Sequence, residues 1–405
     1  MKIKKIILSI LLLILSISIV ACGGNDGVEV NDDGSYNHTI VISKLFTGKT
    51  MDNNVIELYN NSKNDINLRN YKLDFYLNGS DSVGESIKLK GTIKANDYFA
   101  ISSKHLDEKH INKIDMKYKN TLPFNGDDTI ALSYKGETVD LIGFLGFDIN
   151  YSEHRTLIRL GNKEDYKPTD KFNQFNFISY LPEVFTYLKN DTHEIKTLEQ
   201  LHDGPRLELH YKNTPYASGN RAAGGAPVAT LQGIADGDTA TFSFSEKPNP
   251  GSHRYYFIDT AETSGPNTED EPWGEIGTLY NKNFLLNDAD NKEIRVQSIP
   301  GDSLSETYGR NLGLVWINDQ LSQFLIVREG LSRAFNTQYS SESNQQLYYK
   351  DVPLITFLLF AEELAKQNGW GMHGTNNAPD WNYEENKRAD KSEWKDWQPN
   401  IKINW

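Results

Sequence analysis

Short apolar runs bounded by Asn, Asp and Gly recur along the first half of the chain, over residues 39–44, 54–59, 71–76, 86–90, 98–102, 129–134 and 138–143. Runs of this length punctuated by turn residues predict strands, and seven in succession predict a β-sandwich. Residues 169–200 carry a mixed pattern, in which Phe172, Phe175, Phe177 and Tyr180 lead into an apolar stretch at 181–188. That pattern fits a segment closing a first domain against a second. Asp203-Gly204-Pro205 then marks a boundary, and residues 217–227, rich in Gly, Ala and Asn, read as an exposed loop.

The second half predicts strands over 228–234, 239–245, 254–258, 293–299 and 312–317, with residues 247–251 as the turn of one hairpin. A helix over 272–286 would place Ile276, Leu279, Tyr280 and Phe284 on one face, and a second over 319–329 would stop at Gly330. A third, over 351–367, has Asp351 as its cap, an early Pro353 and a stop before Gly369. Its apolar run, 354–361, is too short to span a membrane and predicts a core helix. From residue 375 the chain turns polar and tryptophan-rich, with Trp381, Trp394, Trp397 and Trp405. Such residues can stack on bases, but without a basic stripe they fit better a tail docked on its own domain.

Against this background the placement of charge between residues 236 and 310 stands out. Asp236-Gly237-Asp238-Thr239 precedes one apolar run, Arg254 and Asp259 bracket the nearly unbroken apolar stretch from Tyr255 to Ile258, and Thr260-Ala261-Glu262 follows it. Glu306-Thr307-Tyr308-Gly309-Arg310 closes the series. Charges at both ends of a buried strand need partners. Asp238 and Asp259 offer hard oxygen ligands, and the Thr260 carbonyl a third, a set that suits a calcium ion keeping several waters. Arg254 and Arg310 carry the fork that grips phosphate oxygens and steadies charge developing on them. Glu262 stands where a general base on a water is needed. An isolated Asp-Gly-Asp is a common turn, and an isolated Arg-x4-Asp is a common structural ion pair. In order and together they point to phosphodiester cleavage.

The constellation resembles the thermonuclease family, the staphylococcal-nuclease-like domain, across residues 205–374. Residue by residue, the resemblance implies calcium ligands at Asp238, Asp259 and the Thr260 carbonyl, a general base at Glu262, phosphate-binding arginines at Arg254 and Arg310, and a substrate contact at Tyr308. It implies an OB-type five-stranded barrel carrying three helices. Ala261 replaces the proline usual in the family's turn, and Thr307 stands where the staphylococcal prototype has lysine. The prototype's pair of pocket tyrosines has no clean equivalent in Phe-Asn-Thr-Gln-Tyr at 335–339.

The first domain resembles the lamin-tail family, an immunoglobulin-like sandwich. The residues that carry the likeness are Val55-Ile56-Glu57-Leu58-Tyr59-Asn60, Ile66 through Leu73, Phe124 through Leu132, and Val139-Asp140-Leu141-Ile142-Gly143. The resemblance implies a binding or spacing module, with surfaces, proteins or DNA as its partner. Glu57, Asp127 and Asp128 could hold a metal, but carboxylates before tight Asn/Gly turns read better as turn formers. The chain is therefore mainly β and multidomain, an immunoglobulin-like sandwich followed by an OB-type barrel, with boundaries at 36–203, 204–374 and a 375–405 tail.

Composition changes the picture in two ways. The chain of 405 residues carries a net charge of −13, and from residue 205 onward 18 Lys and Arg face 27 Asp and Glu. Attraction to a nucleic acid must then be local, through a bound cation and a few arginines, which predicts weak grip and fast release. The single cysteine, Cys22, excludes an internal disulfide. It follows three lysines within residues 1–5, an apolar run at 6–20 and Ile19-Val20-Ala21, which together resemble a bacterial lipobox. That likeness implies a signal peptide over 1–21, a lipidated Cys22 and a flexible tether over 22–35. The protein would hang from the cell membrane on its extracellular side.

His210, His253 and His373 lack ligand spacing, and no zinc spacing, phosphate loop or internal repeat is present. The reading is thus a membrane-anchored extracellular calcium-dependent endonuclease that cuts DNA and RNA, and the resemblance implies 3′-phosphate ends. Its rival is a non-catalytic surface adhesin or nucleic-acid-binding lipoprotein.

Overall fold

The computed structural model describes residues 26–245, 247–263, 271–286, 292–306, 308–334, 347–374, 381–382 and 387–388. Cys22 and the rest of residues 1–25, Thr307, the 335–339 stretch, Trp394, Trp397 and Trp405 lie outside the described residues.

The N-terminal half is built from ten main strands: β1 (Ile40–Phe46), β2 (Val55–Asn60), β3 (Tyr71–Tyr76), β4 (Glu85–Lys88), β5 (Tyr98–Ser102), β6 (Met116–Lys117), β7 (Thr129–Tyr134), β8 (Glu137–Ile142), β9 (Thr156–Arg159) and β10 (Phe177–Tyr180). One sheet runs β6-β5-β2-β1-β9-β10 and the other β8-β7-β3-β4. Alternate residues of both sheets meet in one core: Ile42, Ile56, Leu58 and Ile101 face Leu73, Phe75, Ile130 and Leu132. All six residues of β2 are buried, because its second face is covered as well. There Phe185 stacks on Phe46, and the Lys189 N–H donates to Glu57 Oε2 at 2.6 Å. Glu57 is therefore a mid-strand residue paired with Lys44 at 2.6 Å, and the turn-forming role expected of it is corrected. Asp128 does form turns, accepting from Asn78 N–H at 2.8 Å and Asn125 N–H at 3.0 Å.

β9 and β10 carry the first sheet to the second half of the chain. The Leu181 N–H donates to the Asp351 carbonyl at 2.8 Å, Phe175 meets Phe360 edge-on at 5.4 Å, and Ile158, Ile178 and Tyr180 join the second hydrophobic core.

That core lies beneath a sheet of order β11 (Thr230–Ile234), β12 (Thr239–Phe244), β13 (Lys247–Tyr255), β16 (Asn311–Ile317) and β15 (Ile294–Gln297). The β13–β16 pairing is parallel and the others are antiparallel. The strand path is open, and its two edges meet in one bridge, Val228 opposite Arg295. A closed five-stranded ladder, as expected of a barrel, is not formed among the described residues. Beyond β13, a short β14 (Ile258–Thr260) pairs with β17 (Ser332–Ala334). Helices α1 (Gly274–Leu286), α2 (Ser322–Arg328) and α3 (Leu354–Asn368) pack on the core.

Several expectations are corrected. Residues 247–251 belong to β13, since Phe244 already pairs with Lys247 and the hairpin closes before them. On α1, Leu279 is exposed, whereas Gly277, Asn281 and Leu285 are buried with Ile276. α2 starts at Ser322 because Asn318 and Asp319, at φ 49° and 67°, turn the chain out of β16 first. Asp351 likewise takes φ 62° in a turn, so Pro353 holds the cap position of α3. Gly330 and Gly369, at φ 70° and 63°, end α2 and α3 as the pattern implied. No helix among the described residues is long and apolar enough to cross a membrane.

Candidate active site

The site forms where the start of β12, the end of β13, β14 and β17 converge. Asp236 folds back on its own turn, accepting from the Asp238 N–H at 3.0 Å, and so delivers Asp238 inward at the first residue before β12. Asp238 is 4% exposed. Its Oδ2 accepts from Thr260 N–H at 2.8 Å and Thr260 Oγ1 at 2.9 Å, and its Oδ1 from Thr239 Oγ1 at 3.2 Å. Gly237 permits this approach, since a Cβ there would sit 2.9 Å from Thr260 Oγ1.

Arg254 and Asp259 were expected to bracket one buried strand. In a straight strand residues five apart point to opposite faces and stand roughly 16 Å apart. The strand is broken instead: β13 ends at Tyr255, and Phe257 takes φ 68°, a backbone region that bulky side chains seldom enter. The kink turns Asp259 back onto Arg254, and Arg254 Nη2 lies 2.7 Å from Asp259 Oδ1. Its Nη1 reaches Asp238 Oδ2, so a single guanidinium bridges the two carboxylates.

The remaining expected residues are less tightly engaged. Arg310 donates through Nε to Glu306 Oε1 and reaches Thr239 Oγ1 through Nη1 at 3.4 Å, which places it at the rim beside Asp238. Glu262 is half-buried just past β14, its N–H held by Glu271 Oε2 at 2.8 Å. Burial and the nearby Asp236 raise its carboxyl above the ordinary range, while Arg254 pulls the other way. Tyr308, on the turn that carries Arg310, is 85% exposed and is not gathered into the cluster.

One member was not foreseen. Arg333, directly opposite Asp259 in the β14–β17 pairing, donates through Nε at 3.0 Å and also through Nη2 to Asp259 Oδ2. Ser332 Oγ accepts the Asp259 N–H at 3.1 Å. Asn281 on α1 also supports the site, donating to the Asp236 carbonyl at 3.0 Å and accepting from the buried Tyr255 hydroxyl at 3.0 Å. Arg333 stands 74 residues from its partner between small residues, and no local pattern marks it.

Charge decides what the site can hold. Asp236, Asp238, Asp259 and Glu262 act on one another across this space, against the guanidiniums of Arg254 and Arg333. Burial raises the Asp238 carboxyl above the ordinary range, with Arg254 opposing and Asp236 adding to the rise. The cluster is short of positive charge, and its donors are hard oxygens. Among the described residues no three His, Cys, Asp or Glu converge as a complete metal cage. The carboxylates of Asp238 and Asp259 fit a hard divalent cation that keeps its waters, and the cluster lacks the nitrogen or sulfur that zinc prefers.

Comparison with known proteins places two families on the chain. Residues 34–146 match the lamin tail domain, and residues 253–372 match the staphylococcal nuclease homologue family. Asp238 precedes the second match, and the fold brings it in. The chain is similar to the SPbeta prophage-derived endonuclease YokF of Bacillus subtilis (strain 168), 31% identical over 115 residues, 27% of this chain and 36% of that protein. It is similar to endonuclease YncB of the same organism, 30% identical over 115 residues, 27% of this chain and 51% of that protein. It is also similar to the thermonuclease of Staphylococcus intermedius, 31% identical over 102 residues, 25% of this chain and 55% of that protein. The chain thus spans between about a third and about a half of the length of these relatives.

Proposed function

We propose that this chain, a lamin tail domain followed by a staphylococcal-nuclease-like domain, is a calcium-dependent endonuclease that hydrolyses phosphodiester bonds of DNA and RNA. The observation that carries the reading is the convergence of Asp238, Arg254, Asp259 and Thr260, with Arg310 at the rim. The names of the relatives, endonuclease and thermonuclease, support it.

Asp238, Asp259 and the Thr260 carbonyl would hold the ion, which supplies positive charge against the phosphate oxygens when bound. Every other task falls to side chains. Glu262 takes a proton from the attacking water, and its raised carboxyl pKa makes it a stronger base at neutral pH. The water oxygen bonds to phosphorus while the bond from phosphorus to the 5′ oxygen breaks and that oxygen is protonated, leaving 3′-phosphate and 5′-hydroxyl ends. Arg254 and Arg310 now rest on carboxylates, Asp238, Asp259 and Glu306, which occupy the fork that a phosphate takes in their place.

In this reading the first half is an immunoglobulin-like sandwich and the second an OB-type barrel. A lipid on Cys22 holds both at the outer face of the cell membrane. The rival reading, a surface adhesin or nucleic-acid-binding lipoprotein without turnover, draws on the same ion pairs taken as permanent. Cleavage of a single-stranded oligonucleotide with calcium, without it, and with zinc, followed by analysis of the ends, separates the two. Calcium-dependent cuts with 3′-phosphate ends are expected. A folded protein that cuts under no divalent cation would favour the binder, and cleavage supported by zinc but abolished by calcium would overturn the metal assignment.

A further inference from the structure

We infer that Arg333 is a positioning residue for cation binding, holding one oxygen of Asp259 so that the other is presented to the ion. The inference rests on the calcium-site reading given above. Asp259 divides its oxygens between two guanidiniums, Oδ1 to Arg254 and Oδ2 to Arg333. Oδ1 is the oxygen turned toward Asp238, through the guanidinium that both carboxylates share.

The grip on Oδ2 is built into the backbone. Asp259 and Arg333 are paired residues of an antiparallel ladder, so their side chains leave the sheet on the same face as neighbours. Ser332 Oγ fastens the Asp259 N–H at 3.1 Å, and the Ala334 N–H is anchored to Glu362 Oε2 on α3 at 3.2 Å. β17 is therefore fastened by side chains to β14 at one flank and to α3 at the other. Nε and Nη2 converge on the single oxygen Oδ2, which fixes that oxygen in place while leaving Oδ1 to the other side of the site. The Arg333 side chain is 22% exposed, open enough to be reached by ions and closed enough to strengthen the pair.

Arg333 is also a positive charge near a cation site, and as a mere competitor its removal would tighten binding. The geometry favours the opposite result. With Oδ2 released, both oxygens of Asp259 become free to close on Arg254, which already holds Asp238. The bridge that an incoming ion must open would then be stronger, and the ligand oxygen less well aimed. Partners that orient a metal-ligating carboxylate from behind are commonly worth about 10–100-fold in metal affinity.

The test is equilibrium dialysis of the full chain against radioactive calcium for the native protein, Arg333→Ala, Arg333→Lys and Asp259→Asn, and for Asp259→Asn combined with Arg333→Ala. Arg333→Ala should bind calcium roughly 10–100-fold more weakly, and Arg333→Lys should fall between, because one ammonium cannot reproduce the two-pronged contact. The double variant should bind no worse than Asp259→Asn, and saturating calcium should restore oligonucleotide cleavage to Arg333→Ala. Equal or tighter calcium binding by Arg333→Ala overturns the inference, and if that variant does not fold, native affinity in Arg333→Lys does so. A native protein that binds and cuts while its Arg333 variants match it leaves the nuclease reading standing and removes only Arg333. A native protein that binds no calcium removes both.

Discussion

In the N-terminal half Glu57 and Asp140 are completely buried, and each is enclosed by a cation and further donors. Glu57 takes Lys44 Nζ at 2.6 Å, Ser43 Oγ at 2.9 Å and the Lys189 N–H at 2.6 Å. Asp140 takes Arg159 Nη2 at 2.6 Å and the N–H groups of Ile42 and Thr169 at 2.7 and 2.8 Å. In the C-terminal half Asp238 and Asp259 share Arg254, Arg333 adds a second guanidinium on Asp259 alone, Asp236 and Glu262 bring further carboxylates, and the Asp259 side chain remains 21% exposed. The residue types are the same. What separates a structural ion pair from a candidate site is whether each charge is matched inside the protein and whether solvent reaches it.

The largest expected effect sharpens that contrast on the site's side. Glu262→Gln keeps shape and most hydrogen bonding but removes the carboxylate proposed as the base, and it should cost roughly 10²–10⁴ in single-turnover cleavage with substrate affinity nearly unchanged. Asp238→Ala should instead weaken calcium binding first and lose activity as a consequence. Equal losses of binding and cleavage in Glu262→Gln would make Glu262 a structural residue like Glu57.

Lys44→Met attacks the other side of the comparison. It leaves the Glu57 carboxylate buried without its cation, which should cost about 3–5 kcal/mol in urea unfolding. The cleavage rate per folded molecule should not move. Coupled loss of rate at full folding would mean that the first domain takes part in catalysis.

His193 adds a pH dimension at the junction of the two halves. It is 3% exposed, with its ring against Tyr180 and Tyr187, and both ring nitrogens are buried without hydrogen bonds. Burial, with Lys44 adding to it and Asp191 opposing, lowers its pKa to about 4. The unfolded chain binds this proton from pH 6.5 downward and the native state only near 4, so stability falls as pH drops through that window. The loss should be on the order of 2–3 kcal/mol, and His193→Phe should flatten it in unfolding curves at pH 7, 5.5 and 4.5.

Much of the framework was legible in the chain. The strands at Tyr71–Tyr76, Tyr98–Ser102 and Thr129–Tyr134 occur where the apolar runs place them, because Gly, Asn and Asp turns punctuate that half. β9 and β10 escaped notice, since Thr156–Arg159 and Phe177–Tyr180 are four-residue strands at one end of their sheet, with β10 on its edge, and are stabilised by the neighbouring domain. At the site, residue types could be named, but their meeting could not. It depends on the left-handed Phe257, which no propensity signals, and on Arg333, supplied by a strand 74 residues downstream. Helix starts moved because positive-φ turns at Asn318–Asp319 and Lys350–Asp351 used residues that otherwise read as caps.

The smallest expected effect concerns Tyr308, where the comparison is between a charge held in the cluster and a ring held outside it. Tyr308 sits beside Gly309, which takes φ 82° in the turn closed by the Gly309 N–H on the Glu306 carbonyl at 3.0 Å. The same turn presents Arg310, so a ring at this position lies within reach of whatever the guanidinium binds. At 85% exposed it contributes nothing to the core, and Tyr308→Ala should leave the unfolding midpoint in place. A base stacked on an exposed ring gains roughly 1 kcal/mol, so KM for a short single-stranded oligonucleotide should rise about fivefold at constant kcat. A fall in kcat with KM unchanged would move Tyr308 from substrate contact to a role in setting Arg310. No change in either would leave it a surface residue, with base stacking supplied elsewhere.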